Sequence, residues 1–113
     1  MVATLVTREQ RGLGHLLVIP VKHRITLLDL TEHEASAVMA SVISATRAIA
    51  DAYKAHGVAV WQNNGVPAHQ EIPHVHFHIA GTLPEGGTER DDVDESSVAE
   101  TEFIAERLRP FLR

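Results

Sequence analysis

Two hydrophobic periods divide this chain. Residues 2–7 are apolar and β-branched and predict a short strand. Polar residues 8–11, then Gly12 and Gly14, mark a turn. Residues 15–20, HLLVIP, form a near-continuous apolar run ending at proline, which reads as a central strand. Together they predict a hairpin. Apolar residues then recur at Ala35, Val38, Met39, Val42, Ile43, Ile49, Ala50 and Tyr53, a helical spacing held for about six turns. Thr31 and Glu34 have capping-box spacing at its start, and Gly57 is expected to take the left-handed position that closes it. Residues 58–62, VAVWQ, predict a third strand, Asn63-Asn64-Gly65 a turn, and residues 66–72 a loop. Residues 73–80, PHVHFHIA, alternate strictly and predict a fourth strand. Residues 81–95 are Gly-rich and then acidic, and read as a mobile, solvated loop. Ser97 and Glu100 repeat the capping box, and Phe103, Ile104 and Leu108 mark the apolar face of a second helix over about residues 97–109, ended by Pro110. The order β-β-α-β-β-α predicts an α+β fold: an antiparallel sheet covered by one long helix, with a C-terminal helix.

Composition narrows the function. At 113 residues, with 44% hydrophobic and 22% charged positions, the chain reads as one globular domain over residues 1–113. The absence of cysteine excludes disulfides, thiolate zinc sites and cysteine nucleophiles. A net charge of −5 argues against a nucleic-acid groove, which needs a basic face. Part of that charge is concentrated at Asp91, Asp92, Asp94 and Glu95, so a small anionic ligand is compatible with the rest. No signal peptide or membrane-spanning stretch is visible, and the expected location is the cytoplasm.

Histidine is the residue in excess, with eight copies. His74, His76 and His78 are two residues apart, so an ideal strand sets all three on one face, about 6.6 Å from ring to ring. Val75, Phe77 and Ile79 then face a helix. Three readings compete on the residues alone. The row is a polar strand face, or it binds zinc with His69 or His15 completing the shell, or it performs phosphate chemistry. In the third reading, imidazole serves both as an unprotonated nucleophile and as a donor near neutral pH.

The run His74-Val75-His76-Phe77-His78-Ile79 resembles the signature of the histidine triad (HIT) superfamily. Gly14-His15-Leu16-Leu17-Val18-Ile19-Pro20, followed by Val21-Lys22-His23, is similar to that family's strand-and-turn motif. Asn63-Asn64-Gly65 and Ala68-His69-Gln70 are similar to segments that precede its triad. The resemblance implies a HIT-like fold and a nucleotide hydrolase or transferase acting on a nucleoside phosphate, phosphoramidate or dinucleoside polyphosphate. It implies that His76 is the nucleophile, forming a nucleotidyl-histidine. His74 would accept the nucleophile's hydrogen bond on its backbone carbonyl. His78 would contact the phosphate and assist the leaving group, His15 would support the triad, and Asn63 would lie near the phosphate. It further implies a purine nucleotide-type substrate and a homodimer joined through the long helix and central strands.

Five positions depart from the resemblance. Thr7 stands where the family commonly has Asp or Asn at the ribose. Glu71 replaces the Ser or Thr that usually contacts the leaving group. His69 stands in place of glycine, and Ala80-Gly81 in place of a Pro-Arg pair. The family core is expected over residues 4–80 of an N-terminally short domain. Lacking the cysteines used by some relatives, the chain is expected to hold no structural metal and no cofactor. Two other readings are a binding module in which Glu71 has removed turnover, and a zinc protein using the HxHxH strand. Asn63 also fits a plain turn residue tolerant of positive φ, and Trp61 a core or interface residue. His23, His33 and His56 are assigned no chemistry.

Overall fold

The alternation over the first twenty residues folds back on itself. In the computed structural model, which describes residues 1–112, β1 (Val2–Val6) pairs antiparallel with β2 (Leu13–Pro20). α1 (Glu32–Tyr53) and β3 (Val58–Trp61) follow, then β4 (Phe77–Gly81) and α2 (Val98–Leu108). The four strands form one antiparallel sheet in the order β1-β2-β4-β3. This is the α+β architecture that the sequence predicts.

The period-2 pattern sorts the two faces. Leu16, Val18 and Ile79 face α1 and pack with Val38, Val42, Ala45, Ala48 and Ile49, and Leu108 of α2 closes the same core. The opposite face carries His15 and Leu17 on β2, His78 on β4 and Trp61 on β3, with Leu17, His78 and Trp61 directly in register. The apolar positions thus fix the helix side, and the histidines inherit the other.

Thr31 Oγ1 accepts from the Glu34 amide at 3.1 Å, and Glu34 Oε1 accepts from the Thr31 amide at 2.9 Å, completing the expected capping box. Glu34 also takes a hydrogen bond from Arg24 at 3.1 Å. The backbone amide of Thr31 holds the Glu34 carboxyl below its usual range. α1 closes at Lys54, which takes the left-handed conformation at φ +52°; Gly57 does not, and lies beside Thr82. Met39 and Ile43, expected on the buried face, are each 46% exposed, because the sheet reaches only the Val38–Val42–Ala45–Ile49 side of the helix. Phe103 is 71% exposed, since α2 rests on the core through Leu108 and Ile104. No helix among the described residues is long and apolar enough to cross a membrane.

β4 is shorter than the alternation predicts. Continuing its register would set Val75 opposite Pro20, which has no N–H to give the ladder. The His74 amide instead donates to Ile72 O at 2.8 Å, and the Val75 amide to Arg24 O at 2.7 Å. The first two histidines of the triad therefore lie in a loop rather than in a strand.

β2 carries one extra residue between Leu13 and Leu16, a bulge centred on Gly14 at φ +59°. A Cβ built on Gly14 would lie 2.6 Å from Tyr53 Cε2 at the end of α1. Gly14→Ala is expected to cost about 1–2 kcal/mol through left-handed strain. A lowered urea midpoint with an unchanged m-value would show it; an unchanged midpoint would refute it.

Candidate active site

A cleft of about 660 Å3 lies over the open face of the sheet. Thr7, His15, Asn63, Glu71, His76 and His78 all line it, which brings together six of the seven residues expected from sequence. The seventh, His74, turns its ring away. Its Nε2 donates to Pro20 O at 2.8 Å, and its ring meets His23 edge-on at 5.3 Å. The three imidazoles are therefore not one row. What His74 offers the cleft is its carbonyl, which accepts from His76 Nδ1 at 2.8 Å.

These hydrogen bonds set the tautomers. With Nδ1–H donating to a carbonyl, neutral His76 has a bare lone pair on Nε2. The Arg11 amide donates to His15 Nδ1 at 3.0 Å, so neutral His15 carries its proton on Nε2. That Nε2–H donates to His78 Nδ1 at 3.0 Å, leaving neutral His78 with its own proton on Nε2. The rings of His76 and His78 are 4.9 Å apart. A bare nitrogen and an N–H donor thus stand side by side at the cleft.

Both supporting histidines are held neutral. Burial, then the charge of Arg11, lowers the His15 pKa to about 4. Burial, then His15, His76 and Arg11, lowers His78 to about 3. A proton on either ring would have to share a poorly hydrated space with its neighbours.

The remaining parts are less visible in the sequence. Gln10 grips the His15 backbone twice: its Oε1 accepts from the His15 amide at 3.0 Å, and its Nε2 donates to the carbonyl at 2.9 Å. This side chain takes over backbone pairing on the β1 side of β2, where β1 has ended at Val6. Trp61, read as core or interface, lies in the cleft and stacks on His78. Arg11 donates to Glu89 O at 3.2 Å and Asp91 O at 2.6 Å, while the Glu89 amide donates to Arg11 O at 2.8 Å. The Gly-rich and acidic segment leaves Asp91, Asp92, Asp94 and Glu95 exposed, as expected of a solvated loop, and its Glu89 and Asp91 backbone is hydrogen-bonded to Arg11 on the turn before β2, with Arg90 at the cleft. No short-range pattern announces contacts between residues 78 and 80 positions apart.

The loop before the triad is built around Gln70. Its Oε1 accepts from the Gly65 amide at 2.6 Å, and its Nε2 donates to Ile25 O at 2.6 Å. Gly65 takes the positive φ of this turn, so Asn63 is not there for backbone reasons; Asn64 instead accepts from the Leu27 amide at 2.8 Å. His69 is left-handed at φ +68°, a conformation glycine adopts more readily. Thr7 Oγ1 accepts from the Glu9 amide at 3.3 Å. Among the described residues, no group of three or more His, Asp or Glu could hold a metal ion, since the His74 ring is committed to Pro20.

Comparison with known proteins gives a consistent picture. The HIT domain model matches residues 2–84. An adenosine 5'-monophosphoramidase from Schizosaccharomyces pombe is 39% identical over 66 residues, covering 58% of this chain and 47% of that protein. A bis(5'-nucleosyl)-tetraphosphatase (asymmetrical) from the same organism is 38% identical over 66 residues, covering 58% and 36%. The chain spans about half or less of the length of these curated relatives. Among solved structures, a Hit-like protein involved in cell-cycle regulation from Bartonella henselae superposes with a TM-score of 0.91 at 27% identity, covering 98% of this chain and 80% of that one. A hypothetical histidine triad nucleotide-binding protein from Sulfolobus tokodaii gives 0.85 at 30% identity, covering 97% and 76%.

Proposed function

The chain belongs to the HIT family, and from that membership we propose that it is a nucleotide hydrolase or transferase working through a nucleotidyl-histidine on His76. The observation that carries this reading is the bare Nε2 of His76, backed by its Nδ1–H on the His74 carbonyl. His76 Nε2 attacks the α-phosphorus of a nucleoside phosphoramidate or dinucleoside polyphosphate, forming a P–N bond as the bond to the leaving group breaks. The charge gained by the ring is shared with the His74 carbonyl. His78 Nε2–H donates to an oxygen of the phosphoryl group as negative charge develops there. The leaving group departs in this first step and takes its proton from solvent in the open cleft; water then attacks phosphorus, the P–N bond returns its electrons to Nε2, and the water's proton passes to solvent. Asn63 offers an amide to the phosphate, and Thr7 a hydroxyl to the sugar. His15 holds His78, and the His74 ring holds the loop. The names of the two S. pombe relatives, a phosphoramidase and a tetraphosphatase, support this substrate class.

Incubation with adenosine phosphoramidate or a diadenosine polyphosphate is expected to release AMP. No release with either would overturn the hydrolase reading. A binding module is the second reading, favoured by the Glu71 carboxylate in the cleft, which disfavours a phosphate placed near it. Calorimetry showing AMP affinity without turnover would establish it. We also propose a homodimer, a reading that the family membership supports. Met39 and Ile43 form an exposed apolar pair one turn apart on α1, and β3 is an edge strand. Light scattering at micromolar concentration is expected to give twice the 12.4 kDa chain mass.

A further inference from the structure

Trp61 is the chain's one tryptophan, and it lies outside the hydrophobic core. It sits directly across from His78 on the neighbouring strand, on the open face of the sheet. Its indole is parallel to the His78 imidazole, 3° between planes and 4.8 Å between centroids, an offset stack. The same indole is tilted against His15 at 5.1 Å. His78 is therefore held in two ways: one face lies on the indole, and Nδ1 is tied to His15. Turning the His78 ring about its own axis would break both contacts.

We propose that Trp61 is a positioning residue for the reaction, its flat face fixing the plane in which His78 presents Nε2–H to the phosphoryl group. The proposal rests on the reading of His78 as substrate donor. A single hydrogen bond to His15 leaves the ring free to swing about that bond; the stack removes this freedom. Alignment of a donor to a developing charge is sensitive to tilts that leave binding almost unchanged, so the effect belongs to kcat more than to KM. The indole also keeps water from one face of His78. The other groups around His78 are Arg11 on the turn, His15 on β2 and His76 on its own segment. Across the cleft stand Glu9, His69, Glu71, Glu89 and Arg90. Trp61 is uncharged, so its removal changes hydration and geometry without changing this set.

The test uses the full chain and three variants, W61A, W61L and W61F. Turnover of adenosine phosphoramidate is followed alongside an NMR titration of the His78 ring, with circular dichroism reporting the fold. W61A and W61L are expected to lose about tenfold or more in kcat with KM within about threefold, while W61F, which keeps a flat ring, stays within about threefold in both. His78 is expected to stay neutral from pH 8 to pH 5 in wild type, and its titration to move up by about one pH unit or more in W61A and W61L as water reaches the ring. If W61A does not fold, W61L and W61F decide the matter. A folded W61L with wild-type kcat and titration would overturn the proposal. A fall in kcat with the His78 titration unmoved would also overturn it, assigning Trp61 to direct substrate contact. If wild type releases no AMP, the hydrolase reading falls, while the titration still decides whether Trp61 holds His78.

Discussion

His76→Ala is expected to remove turnover almost entirely, lowering kcat by roughly 10⁴-fold or more, the order seen when a covalent nucleophile is deleted. The variant should fold, because the His76 ring lies at the cleft and its one internal hydrogen bond goes to the His74 carbonyl. His74→Ala makes a sharp contrast. It keeps the carbonyl that orients His76 and loses only the ring that anchors the loop to Pro20 O. Its expected loss is about tenfold, from a loosened loop. Enzyme quenched in alkaline denaturant, which preserves a P–N bond, should carry label from α-phosphate-labelled substrate in wild type and in His74→Ala, and none in His76→Ala. A His76→Ala enzyme retaining a tenth of wild-type activity would remove His76 from the proposed role.

Stability is expected to fall as the pH drops below the ordinary histidine range. His15 is 1% exposed and its pKa in the fold is about 4, whereas the unfolded chain titrates near 6.5. Between these values the unfolded state takes up a proton that the folded state refuses, so acid favours unfolding. By pH 5 this amounts to on the order of 2 kcal/mol for His15 alone. His78, at about 3, acts in the same direction but less per site, because its ring faces the open cleft. Glu34 and Glu100, whose carboxyls sit below their usual range, contribute only at more acid pH. The window from pH 6.5 to 5 therefore isolates the histidines. Thermal unfolding should show Tm falling steadily through it, with a shallower slope in His15→Asn. A flat Tm across the window in wild type would refute the buried, neutral pair.

How far the sequence could be read differs by element. The hairpin, the two capping boxes and the α+β layering follow from local spacing, and all appear in the fold. Strict alternation over residues 73–80 extended the last strand too far, because the partner that ends it, Pro20, is 55 residues away from Val75 in the chain. Gly57 looked like a helix cap by composition, yet Lys54 absorbs the left-handed turn ahead of β3. Of the six candidate residues that line the cleft, His76 and His78 stand out by type and spacing, whereas Thr7, His15, Asn63 and Glu71 enter only through the resemblance to the HIT family. Gln10, Arg11, Trp61 and Arg90 were legible in neither way, since their roles come from strand register and from loop contacts that no local period encodes.

The line of hydrogen bonds behind His78 begins at a peptide N–H, that of Arg11. A peptide nitrogen does not surrender its proton under these conditions, so the line has a fixed direction and nothing to send along it. His78 can lend its N–H to a neighbouring oxygen but has no reserve from which to replace it. Under the mechanism proposed above, any proton the departing group needs would come from the substrate or from solvent in the cleft rather than along this line, so the direction of one backbone amide separates the holding of His78 from the supply of protons.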